Sequence, residues 1–149
     1  MKITIVAVGL RSPAWASTAV EDYLTRFPRD WKVELKTVKE EPRHGQSKSD
    51  LMAAEADRIR KAIPKGSLLV TLDERGKDLT TVEFAKKLSA WQDSGESVAF
   101  VIGGTDGIDP ALKQESRMMI RLSSMTLPHA LARVILSEQI YRACTINNG

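Results

Sequence analysis

One cysteine, Cys144, stands in the whole sequence. An internal disulfide is therefore impossible, and folding needs no oxidising compartment. Cys144 falls within a helical pattern, where a lone thiol reads as a small apolar packing residue rather than a nucleophile. Two histidines, His44 and His129, add too few and too scattered ligands for zinc, so no metal is expected. No apolar run exceeds the length of a strand, and no segment reads as a membrane span. The opening MKITIVAVGLR loses its apolar character by Arg11, which argues for a first strand rather than a signal peptide. Repeats, low-complexity tracts and internal linkers are missing as well. Residues 1–149 therefore read as one domain. The sequence also lacks GxGxxG and the lysine of a phosphate-binding loop, which removes the standard dinucleotide and nucleoside triphosphate signals.

What is present is a regular alternation. Hydrophobic residues make up 42% and charged residues 28%, proportions that support a globular core. The net charge of +3 permits a nucleic-acid partner without requiring one. Lys2–Val8 reads as a strand rich in β-branched residues. Ser12-Pro13 offers a cap and a first helical residue, followed by a stripe of Trp15, Ala19, Tyr23 and Phe27. The stretch from Trp31 to Thr37 alternates apolar and charged residues, as a half-exposed strand near a sheet edge does. A polar, partly basic loop follows to Lys48. Ser49 is placed to cap a helix with inner residues Met52, Ala56, Ile59 and Ile63. Ser67–Leu72 reads as a strand covered on both faces, ending in a polar loop from Asp73 to Lys77. Thr80 and Glu83 form a capping box ahead of Phe84, Leu88 and Trp91.

The stretch from Ser97 to Thr145 gathers the small-residue loops. Val98–Ile102 runs into Gly103-Gly104-Thr105-Asp106-Gly107, and Asp109-Pro110 opens a short helix. Met118–Leu122 reads as a third core strand and runs into Ser123-Ser124-Met125-Thr126. A long helix from His129 carries two apolar stripes, Leu131, Val134, Ile135 and Tyr141 beside Ala132, Leu136, Ile140 and Ala143. So broad an apolar surface predicts cover from a second subunit, hence a homodimer through this helix. The whole order predicts an α/β protein built on a mainly parallel sheet flanked by helices.

Ligands of such sheets lie off the carboxyl ends of the strands. Three ends carry suggestive residues: Leu72-Asp73, Gly103-Gly104 with Gly107, and Leu122–Leu127. The glycines would let backbone approach a ligand closely, or would simply make a tight turn. Backbone groups of the Ser-Ser-Met-Thr loop could read an adenine edge. By pattern alone Met125 reads as core, His129 as a capping or packing residue, and Arg133 and Arg142 as solvated or ion-paired. A flavodoxin-like nucleotide-binding module is equally compatible with the pattern.

Five segments together carry a more specific resemblance: MKITIVAVG, EDYLTRFPRD, VTLDERGK, VAFVIGGTDGIDP and LSSMTLPHALARVILSEQIYRA. In register over nearly the whole chain, they resemble the ribosomal RNA large subunit methyltransferase H family of the SPOUT class. The resemblance implies a SPOUT-type α/β fold with a C-terminal trefoil knot. It implies S-adenosylmethionine as methyl donor, held by Leu72, Gly103, Leu122, Ser123, Ser124, Met125, Thr126 and Leu127. It further implies a cytoplasmic homodimer that methylates N3 of a pseudouridine in large-subunit rRNA on assembled ribosomes. His129, Arg133 and Glu138 are the candidate catalytic residues, and no metal is needed because the sulfonium is already an activated donor. Members of the family usually continue with a tail of the type Asn-His-Pro-Tyr-His, where this sequence reads Ile146-Asn147-Asn148-Gly149. That departure supplies an alternative expectation: a SAM- and RNA-binding relative with impaired turnover.

Overall fold

The structure is a computed structural model that describes residues 1–149. Five parallel strands form one sheet in the order β2-β1-β4-β3-β5: β1 Lys2–Val8, β2 Lys32–Val38, β3 Leu68–Asp78, β4 Val98–Ile102 and β5 Met118–Arg121. Between them run α1 Ala14–Leu24, α2 Lys48–Ala62, α3 Thr81–Asp93 and α4 Pro110–Glu115, and α5 His129–Asn147 closes the chain. No helix is long and apolar enough to cross a membrane.

Side chains alternate across a strand, so each strand serves two layers. Ile3, Ile5 and Ala7 of β1 join a large core with Phe84 and Leu88 of α3 and Leu136, Ile140 and Ala143 of α5. Val6 and Val8 face the other way, onto Ala56 and Ile59 of α2 and Leu112 of α4. Successive crossovers reverse direction along the sheet. Because parallel crossovers keep one hand, reversal must also switch the face, which sorts α2 and α4 from α1, α3 and α5. After β5 the chain leaves the sheet edge and returns across the strand ends, so that α5 packs between α1 and α3.

Several local expectations shift. The α1 helix begins after Pro13, no side chain caps it, and the Ser12 hydroxyl is buried without a partner. Its inner face is Ala16 and Val20, whose small side chains allow close approach, while Trp15 turns outward at 58% exposed. Ser47 rather than Ser49 caps α2, accepting from the Asp50 N–H at 3.1 Å, and the inner face becomes Leu51, Glu55, Ala56 and Ile59. The polar run from Asp73 to Lys77 is not a loop. It continues β3 through an irregularity, so that Lys77 and Asp78 pair again with Ile120 and Arg121. Met118–Arg121 is an edge strand with only Ile120 buried, not a strand covered on both faces. The Thr80–Glu83 capping box, the Asp109 cap and the bounds of β1 and β4 match the reading.

The irregularity in β3 rests on one glycine. A Cβ at Gly76 would lie 2.5 Å from the Ile120 carbonyl carbon and 2.7 Å from its nitrogen, both rigid backbone. Gly76→Ala should therefore cost about 3 kcal/mol, the upper part of the range for overpacking. Urea unfolding checks this, with a lowered midpoint expected and an unchanged midpoint showing that β3 and β5 can separate.

Candidate active site

The strand carboxyl ends converge on one large cavity of about 1350 Å³. Its walls come from the ends of β1 (Val8, Gly9), β3 (Leu72, Asp73) and β4 (Ile102, Gly103), the loop Leu122–Leu127, and His129 and Arg133 at the start of α5. Every residue expected to hold the methyl donor lines it: Leu72, Gly103, Leu122, Ser123, Ser124, Met125, Thr126 and Leu127. A second cavity, by Leu79, Phe84 and Ile135, measures only about 170 Å³.

The loop from Ser123 to Leu127 carries unspent backbone. Its one engaged N–H is that of Met125, which donates to the Ser123 hydroxyl at 2.9 Å. Such groups need partners, and inside a cavity a heterocycle edge can provide them. Met125 is 77% exposed, so it is no core residue. The glycine turn behaves differently from the expectation of close ligand approach. A Cβ at Gly103 would meet Ile108 Cγ1 at 2.6 Å and the Gly107 carbonyl carbon at 2.9 Å. At Gly104 it would meet the Glu55 carboxylate at 2.9 Å. These two glycines are required by the turn's own packing, and Gly107 is required by its φ of +91°.

Three candidate catalytic residues separate. His129 and Arg133 lie one turn apart on the same face of α5 and both line the cavity. Glu138 does not. Nine residues beyond His129, it sits about 13 Å along the axis and half a turn round. There it accepts from Arg142 Nε at 2.8 Å and from Gln139 Nε2 at 2.7 Å. Burial, and the Arg133 charge beside it, push the His129 pKa down from 6.5, against the pull of the Gly103 carbonyl. Its Nε2 is buried and has no partner. Arg133 is 3% exposed, and its Nη2 donates to the carbonyls of Val8 at 3.1 Å and Gly9 at 2.8 Å. The expectation of a solvated or ion-paired arginine therefore fails at this position.

Sequence reasoning missed the end of β1 as a cavity wall. Gly9 directly after a buried strand was the available signal, but only the sheet order puts β1 beside β4. It also missed the polar rim. Asp73 is buried enough to resist ionising, yet the Lys113 ammonium at 2.6 Å and the Arg75 N–H hold it below the ordinary carboxylate value. Across the mouth, the Glu55 carboxyl is raised by burial although it accepts from the Glu41 N–H at 3.0 Å. Cys144 lies away from the cavity, 1% exposed, and burial pushes its thiol up to about 11.

Comparisons with known proteins agree with this geometry. A family model described as "Predicted SPOUT methyltransferase" matches residues 1–149. The chain is 56% identical over 149 residues to the ribosomal RNA large subunit methyltransferase H of Paracidovorax citrulli, covering all of this chain and 96% of that protein. It is 54% identical to the protein of the same name from Delftia acidovorans, with the same coverage. Among solved structures, a probable methylase family protein of Haemophilus influenzae superposes with a TM-score of 0.63 at 19% identity, over 98% of this chain and 67% of that one. A probable methyltransferase of Bordetella pertussis gives 0.59 at 16% identity, over 95% of each chain. At these identities the structural likeness speaks for the fold alone.

The depressed His129 value has a stability consequence. The folded state binds fewer protons than the unfolded state between the lowered pKa and 6.5. Stability from this group is therefore complete above pH 6.5 and is lost as pH falls through the lowered value. An NMR titration of the imidazole should give a midpoint below 6.5; a midpoint at or above it would contradict the burial described.

Proposed function

The chain belongs to the SPOUT methyltransferase family, and we propose that it transfers a methyl group from S-adenosylmethionine to N3 of a pseudouridine in large-subunit rRNA. On this reading it acts on assembled ribosomes in the cytoplasm, as a homodimer. One observation carries the proposal: the single large cavity is lined by every loop residue of the implied donor site and by two buried polar groups without partners, Arg133 Nε and His129 Nε2.

The donor set fits such a ligand. Leu72, Leu122 and Leu127 offer apolar contact, the unspent backbone of Ser123–Leu127 can meet an adenine edge, and a cation lies at the floor. S-adenosylmethionine, when bound, supplies an activated methyl on a sulfonium, so neither a metal nor a further activating group is needed. What the protein must add is alignment and proton removal. The N3 position carries a proton and becomes nucleophilic only when that proton leaves. His129 suits the task of base: burial keeps its imidazole neutral, and its unpartnered Nε2 leaves one nitrogen able to accept. Arg133 cannot accept a proton at neutral pH. Glu138, on the far side of α5, has no step assigned to it in this cavity. The trefoil-knotted threading of residues 122–128 is part of the proposal, supported by the return of the chain from the β5 edge to the end of β1. Dimerisation through α5 is supported by Leu131, Val134 and Ile135, which stay only partly buried. A base stacked in a stem-loop is reached on a ribosome by shape as much as by charge, which suits a net charge of only +3.

Ribosomes lacking the modification, incubated with the protein and methyl-labelled S-adenosylmethionine, test this directly. Label in large-subunit rRNA at a pseudouridine is expected. Donor binding without transfer would support the alternative of a relative with impaired turnover, and transfer to a different base would overturn the substrate assignment. His129→Gln should lower the rate of transfer by about 10²- to 10⁴-fold, the usual worth of a general base. Its donor affinity, measured by calorimetry, should stay near wild type; an unchanged rate would remove His129 from the chemistry.

A further inference from the structure

Arg133 is a buried cation without a counter-ion. Only 3% of it is exposed, and burial alone moves its pKa, downward; no acid offsets the charge. A guanidinium carries five N–H donors. Nη2 spends its two on the Val8 and Gly9 carbonyls, Nε is buried with no partner, and no other hydrogen bond reaches the group. Leaving a charge this buried and half satisfied costs several kcal/mol in a protein interior. Carbonyl dipoles alone could have been met by a neutral side chain, so holding two strand-end carbonyls does not account for an arginine here.

We propose that Arg133 is the floor of an anion subsite that takes the carboxylate of the methyl donor's amino-acid part. This rests on reading the cavity as the donor site. Three features select a carboxylate. The free donors are all N–H, so the ligand atom must be an acceptor. The guanidinium is planar and matches a carboxylate with paired, charge-assisted bonds. And so small an exposed fraction admits only a compact terminal group, whereas a phosphodiester in an RNA chain is flanked on both sides and belongs at the mouth. The neighbouring His129 Nε2, neutral and unpartnered, adds no second cation, so the subsite is built for one charge. The Val8 and Gly9 bonds then have a second consequence: they aim the guanidinium into the cavity and keep it from pairing elsewhere.

Calorimetry with two probes tests this. S-adenosylmethionine and its decarboxylated analogue share the adenosine and the sulfonium and differ in the carboxylate. The wild-type protein should bind the complete donor at least about tenfold more tightly, the worth of a charged hydrogen bond to a desolvated partner. Arg133→Met should abolish that preference, leaving affinity for the analogue unchanged. Equal wild-type affinity for the two probes would overturn the subsite, whether or not the variant folds. So would an Arg133→Met protein that weakens both probes by the same factor, because that assigns Arg133 only to holding β1. Unaltered donor affinity with a raised KM for ribosomes would move the anion to the RNA and likewise overturn it. A wild-type protein that binds neither probe would instead overturn the donor reading itself.

Discussion

The link between α5 and the end of β1 underlies the rest of the structure. Arg133 reaches from the second turn of the last helix to the carbonyls of Val8 and Gly9, more than a hundred residues earlier in the chain. That contact closes the cavity floor, anchors the first turn of α5 with His129 beside Gly103, and fixes where Leu122–Leu127 must cross. Gly9 is shaped to it: φ is +116°, and a Cβ there would lie 3.2 Å from Nη2. A glycine that looks like a strand terminator thus also serves the approach of a side chain from the other end of the sequence.

The sheet makes that meeting possible. With β1 and β4 adjacent at the centre and the chain reversing direction at each crossover, the carboxyl ends of β1, β3 and β4 open a crevice on one edge. The glycine turn after β4 forms one wall by folding on itself, with the Gly107 N–H donating to the Gly104 carbonyl at 3.0 Å. The loop after β5 forms the opposite wall and keeps its backbone unpaired. One wall is therefore rigid and self-satisfied, the other rich in unmet hydrogen-bonding groups, and the cation lies between them. That asymmetry is what a ligand with an apolar body, a hydrogen-bonding edge and one negative end requires.

Much of this was legible beforehand. Continuous apolar runs identified β1 and β4, since strands buried on both faces leave no polar alternation to misread. Cap chemistry located α3 and α4, because Thr80 with Glu83 and Asp109 with Pro110 satisfy orphan N–H groups by local geometry. What failed depended on distant contacts. The outward Trp15 and the inward Ala16 are both apolar, and only the surface against which α1 packs decides between them. Asp73–Lys77 is too polar to read as strand, yet the edge strand β5 supplies its partners. Glu138 stood close to His129 in sequence and lies on the opposite side of the helix. At Arg133 the residue type was legible but its burial was not, since nothing local predicts an arginine without an acid.

Amide chemical shifts of the labelled protein, followed during titration with S-adenosylmethionine, test the central claim most directly. The account predicts saturable shifts concentrated at Gly103, Ser123–Leu127 and His129, around the large cavity between β1, β3 and β4. Shifts confined to the small cavity by Leu79, Phe84 and Ile135, or none at saturating donor, would contradict it.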